Sequence, residues 1–176
     1  YIIIVRHSQK QEIIYNFVAV FQTVTLNFMN KLILKQILAS NQEDVMQYRI
    51  SPRKLPSDTF PRQVFVGVRR AGKSFMLYQK MQERLAAGIG WDEMLYLNFE
   101  DDRLSDFTVE DFNLILECHS EMYGKRPMLF LDEIQNIDGW EKFARRLADA
   151  KYKVWITGSN AKMLSAEIMT TLGGRY

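Results

Sequence analysis

Eight consecutive residues, Gly67-Val68-Arg69-Arg70-Ala71-Gly72-Lys73-Ser74, follow the spacing GxxxxGK[S/T] without a mismatch. Glycine at both ends of such a loop lets the chain turn tightly and bring backbone N–H groups up to an anion without a Cβ in the way. Where a helix opens directly behind the loop, its positive end points at the same anion. Lys73 then adds a point charge for the β and γ phosphates of a nucleotide. Ser74 offers a hydroxyl to magnesium, a cation that keeps several waters and takes few protein ligands. Phe75 follows directly, so positions 67 to 75 form the expected nucleotide-binding set. Some sixty residues later the apolar run Met128-Leu129-Phe130-Leu131 ends in Asp132-Glu133. This has the form of a Walker B strand. Asp132 is expected to hold Mg2+ with Ser74, and Glu133 to orient and polarise the water that attacks the γ phosphate.

These residues can meet only if the right elements carry them. Short apolar runs at Val64–Gly67, Met94–Phe99, Met128–Leu131 and Val154–Thr157 have the length of buried strands. Between them lie three helical stripes. Leu77, Met81 and Leu85 recur at helical spacing and stop at Gly88, a suitable C-terminal cap. Thr108 with Asp111 resembles a capping box ahead of Phe112, Ile115 and Leu116. Trp140, Phe143, Ala144 and Leu147 form the third stripe. Strands alternating with helices predict an α/β fold, a parallel sheet with helices on both faces.

Glutamate directly after the Walker B aspartate marks an ATPase with a catalytic acid on this strand rather than a kinase or a Ras-like GTPase, and no NKxD guanine-recognition motif appears. The segments GVRRAGKS, LFLDEIQNIDGWEKFARRL, WITGSNAKMLS and LGGRY together resemble the AAA+ ATPases. The likeness is to a prokaryotic group with the motifs GPRRxGKS, FLDEIQ and ITGSNA, and it spans roughly 29 to 176. Val68 replaces that group's usual proline, which removes some stiffness from the loop. The resemblance implies a three-layer αβα P-loop core with strand order 5-1-4-3-2, of which four strands are recognisable here. It also implies a polar sensor at Asn160 or Ser159, sharing the attacking water with Glu133, and an arginine at Arg175 that reaches a neighbouring subunit's nucleotide in a homo-oligomer. Asn160 is equally suited to cap the segment that follows it. By the same sheet order, Asn98, Glu100 and Asp101 end a strand far from the phosphates.

Composition narrows the remaining classes. A chain of 176 residues that is 47% hydrophobic and 25% charged suits a packed globular protein. Its net charge of +2 comes from mixed signs, so no field points by itself to nucleic acid. Cys118 stands alone, and with only His7 and His119 there is no zinc-ligand spacing. A reducing, cytoplasmic setting is expected, without a membrane span. Residues 1–28 lack a clear period, and Met29 is the expected start of the native chain. Residues 29–62 read as an N-terminal helix, ending near Ser40, and a proline-rich loop; residues 63–176 read as an incomplete ATPase core. Two functions fit: Mg-dependent ATP hydrolysis that drives or gates an unidentified protein or DNA partner, or an ATP-operated binding switch with negligible turnover, DNA-associated or not.

Overall fold

Four five-residue strands carry the architecture: β1 (Arg62–Val66), β2 (Met94–Asn98), β3 (Met128–Asp132) and β4 (Val154–Gly158). The computed structural model of the chain describes residues 31–58 and 60–159; the expected start at Met29 and the sites at Asn160 and Arg175 lie outside them. All pairings are parallel, in the order β1-β4-β3-β2. This is the expected order of the four recognisable strands. β2, β3 and β4 are almost wholly buried, which is why they read as unbroken apolar runs rather than alternating ones.

Helix α1 covers 31–47, and α2 (Lys73–Ala86), α3 (Phe112–Tyr123) and α4 (Trp140–Asp149) connect the strands. One sheet face presents Phe65, Tyr96, Phe130 and Trp155 to Leu77, Tyr78 and Met81 of α2 and to Val45 of α1. Phe130 and Trp155 stack there with ring centres 4.8 Å apart, and the Arg84 guanidinium lies 4.4 Å from the Trp155 ring. The alternate residues Leu95, Leu97, Leu129, Leu131 and Ile156 bury the opposite face. Arg62, which points to that side, donates to the carbonyl of Ala148 in α4. There Phe112 of α3 stacks on Phe143 of α4 at 4.4 Å. The result is three layers.

The stripe in α4 is buried at all four predicted positions, each large side chain contributing about 1.5–3 kcal/mol. The Thr108–Asp111 capping box also forms, around a 3-10 turn that leads into α3 at Phe112. α1 differs from expectation. It runs on past Ser40 and Asn41 to residue 47, because Ser40 bonds back to the Ile37 carbonyl, Asn41 is buried, and Val45 extends the apolar stripe into the core.

Between α1 and β1 the proline-rich segment is strapped to α2. Gln79 both accepts from the Arg53 amide and donates to the Arg53 carbonyl, each at 2.9 Å. Lys80 is buried against the Pro56 carbonyl and the Asp58 carboxylate, and Gln82 donates to the carbonyls of Val45 and Tyr48. None of the described helices is long and apolar enough to cross a membrane.

Candidate functional site

The loop Gly67–Gly72 leaves the end of β1 and enters α2 at Lys73. Its start is tied to the neighbouring strand, with the Gly67 amide donating to the Gly158 carbonyl at 3.4 Å. Left-handed turns at Arg70 (φ 63°) and Gly72 (φ 81°) fold it back on itself. At Gly72 glycine is required by that φ. The Arg53 guanidinium also packs where a Cβ would stand, 3.0–3.5 Å away, with a 3.5 Å contact from its Nη1 to the Ala71 carbonyl.

Lys73 is buried. Its Nζ donates to the Val68 carbonyl at 3.1 Å and lies 3.2 Å from Glu133 Oε1. The cradle and the acidic pair, some sixty residues apart in sequence, therefore meet within one ion-pair distance. They do so at the C-terminal ends of the strands, where open α/β sheets hold their ligands. A cavity of about 600 Å³ opens there, lined by Arg69, Arg70, Gly72, Lys73, Ser74 and Phe75 of the loop side and by Glu100 and Glu133 opposite. Phe75 stands at its margin, its ring edge-on to Tyr48 at 5.4 Å.

Asp132 and Glu133 are adjacent but differently held. Asp132 is fully buried, and its carboxylate accepts from the hydroxyls of Thr157, Tyr96 (3.1 Å) and Ser74. Burial pushes its pKa above the usual carboxylate value, against the pull of those three hydroxyls. Glu133 adopts the left-handed conformation (φ 50°), which swings its side chain away from the strand line towards Lys73. Its amide donates to Thr157 Oγ1 at 3.0 Å, and Gln135 donates to its Oε2 at 2.6 Å. Burial works to raise the Glu133 pKa, but hydrogen bonds from Gln135, Ser159 and Lys73 outweigh it and hold the group below its ordinary value. Glu133 is thus kept charged while Asp132 sits in a site that disfavours its charge.

The structure brings together Lys73, Ser74, Asp132 and Glu133, with Ser159 joined through Gln135 Nε2 at 3.3 Å. One expectation is reversed. Glu100, placed far from the phosphates by strand order, lines this cavity and pairs with Arg69 at 3.0 Å. The turn after β2 bends back over β3, the Phe99 amide donating to the Asp132 carbonyl, and the long arginine closes the remaining gap. Sequence reasoning also passed over Thr157 and Tyr96. Each is a hydroxyl inside an otherwise apolar strand, and that is the signal that could have found them.

A carboxylate ringed by three hydroxyls is an all-oxygen site that suits a hard cation. Among the described residues there is no group of three or more His, Cys, Asp or Glu that could cage a metal by itself. A cation at Asp132 and Ser74 would therefore complete its coordination with phosphate oxygens and water, the habit of magnesium.

A family model described as an AAA domain matches residues 60–176. The chain is 35% identical over 147 residues to an uncharacterized protein of Methanocaldococcus jannaschii, covering 82% of this chain and 32% of that protein. It is 36% identical over 121 residues to an uncharacterized protein of Haemophilus influenzae, covering 68% and 30% respectively. It thus spans about a third of the length of these curated relatives. No solved structure matches.

Proposed function

The chain belongs to the AAA domain family, and on that premise we propose that it binds ATP with Mg2+ and hydrolyses it to ADP and phosphate. The observation that carries this reading is the 3.2 Å approach of Lys73 to Glu133 at the mouth of the glycine loop. It puts a buried ammonium at the loop, where it could meet a phosphate, and beside it the acid that would face that phosphate once Lys73 lets go. In the proposed site the backbone of Gly67 to Gly72 cradles the phosphates, and Lys73 exchanges Glu133 for their oxygens. Arg69 and Arg70 add positive charge at the rim. Ser74 and Asp132 would hold magnesium, which when bound supplies Lewis-acid charge against the developing negative charge on phosphate. Glu133, released from Lys73 and kept ionised by Gln135, orients the attacking water and draws off its proton. Asn160 as a sensor on that water, and Arg175 as a group completing a neighbouring subunit's site in a homo-oligomer, belong to the same reading.

The test uses the full chain with ATP and Mg2+. Nucleotide binding, followed by fluorescence, is expected in the wild type and lost in Lys73→Ala. Phosphate release above a blank is expected in the wild type and lost in Glu133→Gln. Binding that survives Lys73→Ala undiminished sinks the assignment. Binding without any phosphate release leaves the site as an ATP-operated switch for a protein or DNA partner.

A further inference from the structure

We propose that Tyr96, on the strand beside the Walker B strand, is a positioning residue that orients the metal-binding carboxylate of Asp132, with Tyr78 relaying that hold from the phosphate-loop helix. This rests on the nucleotide reading above and goes beyond it, because neither tyrosine belongs to the loop or to the acidic pair.

Tyr96 is 2% exposed and lies in β2 opposite Phe130, two residues before Asp132 on the same face of the sheet. Packing alone does not call for tyrosine here, since phenylalanine would fill the same volume without a hydroxyl that needs a partner in the core. That hydroxyl has two neighbours, Asp132 Oδ2 at 3.1 Å and the Tyr78 hydroxyl at 3.2 Å. A metal ligand must be ionised and an ionised carboxylate can only accept, so in the metal-binding form the single proton of Tyr96 goes to Asp132. The proton of Tyr78 then goes to the Tyr96 oxygen. The chain therefore has a direction, from α2 through β2 to β3. On the other carboxylate oxygen Thr157 of β4 donates in the same way.

Among the described residues Asp132 has no ammonium or guanidinium partner; Lys73 reaches the Val68 carbonyl and Glu133 instead. Its charge and its angle are set by hydroxyl dipoles arriving from three elements. A carboxylate held this way has its plane fixed, with Tyr96 on one oxygen, Thr157 on the other and Ser74 as its third hydroxyl partner. Outer partners of metal ligands act by such orientation, and their removal typically costs ~10–100-fold in metal affinity. Tyr78 sits five residues beyond Lys73 on the same helix, so the loop that receives phosphate and the carboxylate that receives metal share one rigid support.

The experiment uses the full chain carrying Tyr96→Phe, with Mn2+ as a paramagnetic probe as well as Mg2+. At saturating ATP, the half-saturating concentration of either metal is expected to rise ~10-fold. ATP binding in the presence of a chelator is expected to stay within about twofold of the wild type, since the loop is untouched. The paramagnetic spectrum of Mn2+ in the ATP complex is expected to broaden as the ligand loses its fixed angle. Should Tyr96→Phe fail to fold, Tyr78→Phe carries the test, with an expected rise of about threefold in the same metal titration. Unchanged metal dependence in a variant that still binds ATP overturns the proposal and leaves the nucleotide reading intact. An equal fall in metal-free ATP binding also overturns it, because Tyr96 would then support the site as a whole. A wild-type chain that binds no ATP overturns both.

Discussion

Replacing Glu133 by glutamine should make the nucleotide-free protein less stable and its grip on ATP tighter. In the free site Lys73 Nζ and Glu133 Oε1 are 3.2 Å apart, with side chains 6% and 9% exposed. At an effective dielectric of about 20 their attraction is about 5 kcal/mol. Glutamine keeps a carbonyl for Lys73 but removes the charge, and its new NH2 faces Gln135, which now donates to Oε2. Gln135 can turn its own amide to meet it, because its buried Oε1 has no partner among the described residues. What is lost is therefore mainly the ionic part, about 2–3 kcal/mol, near the lower end of the cost of breaking a buried pair. For a chain of this size that lowers the melting temperature by roughly 5–10 °C. In the proposed ATP complex Lys73 would be on phosphate and the missing charge would no longer matter to it. The cost falls on the free state alone, so ATP affinity should rise about 30-fold or more. Thermal melts with and without ATP, and a fluorescent-nucleotide titration, measure both halves. A variant as stable as the wild type that binds ATP no more tightly would refute the reasoning, for Lys73 and Glu133 would then not restrain each other in the free site.

Other perturbations read other parts of the structure. Gly72→Ala should weaken ATP binding by at least tenfold, and the double variant with Arg53→Ala should not restore it. The flexible guanidinium can move aside, but the left-handed φ of 81° cannot be relieved; recovery in the double variant would locate the problem in Arg53 instead. Asp58→Asn should cost about 1–2 kcal/mol in urea unfolding, a figure reduced for the 47% exposure of Asp58, because it takes the negative charge away from the buried Lys80 ammonium and from Arg84. The pH course of that loss follows from the Asp58 pKa. Burial raises it, but hydrogen bonds and charge from Lys80 and Arg84 bring it below 3.8, so the contribution is full above that value and disappears as pH falls through the folded pKa. His119 titrates on the other side. Burial lowers its pKa below 6.5 despite hydrogen bonds to backbone carbonyls, so the unfolded chain takes up the proton first and stability falls as pH drops below about 6.5. In melts between pH 7.5 and 5 that slope should flatten in His119→Gln, and an unchanged slope would assign it elsewhere.

Much of the fold was legible because it is written in contiguous residues. The glycine loop, the strand ending in two acids, the four apolar runs and the α4 stripe each report local spacing, and buried parallel strands advertise themselves by having no polar alternation. The sheet order followed from resemblance rather than from any residue pattern. Less legible were the ends of elements. Ser40 and Asn41 look like a polar exit, yet α1 continues because Val45 has a place in the core, a fact about packing that no local signal carries.

Taken alone, the order of residues determined which side chains could do phosphate chemistry and which elements would carry them. Tertiary structure decided the rest: that Lys73 rests on Glu133, that Glu100 reaches back to Arg69, and that Thr157 and Tyr96 hold Asp132 from two other strands. These partners lie 25 to 60 positions apart. Strand register and a single reversed φ at Glu133 bring them together, and the directional, short-range hydrogen bonds that result exist only once the sheet has closed around them.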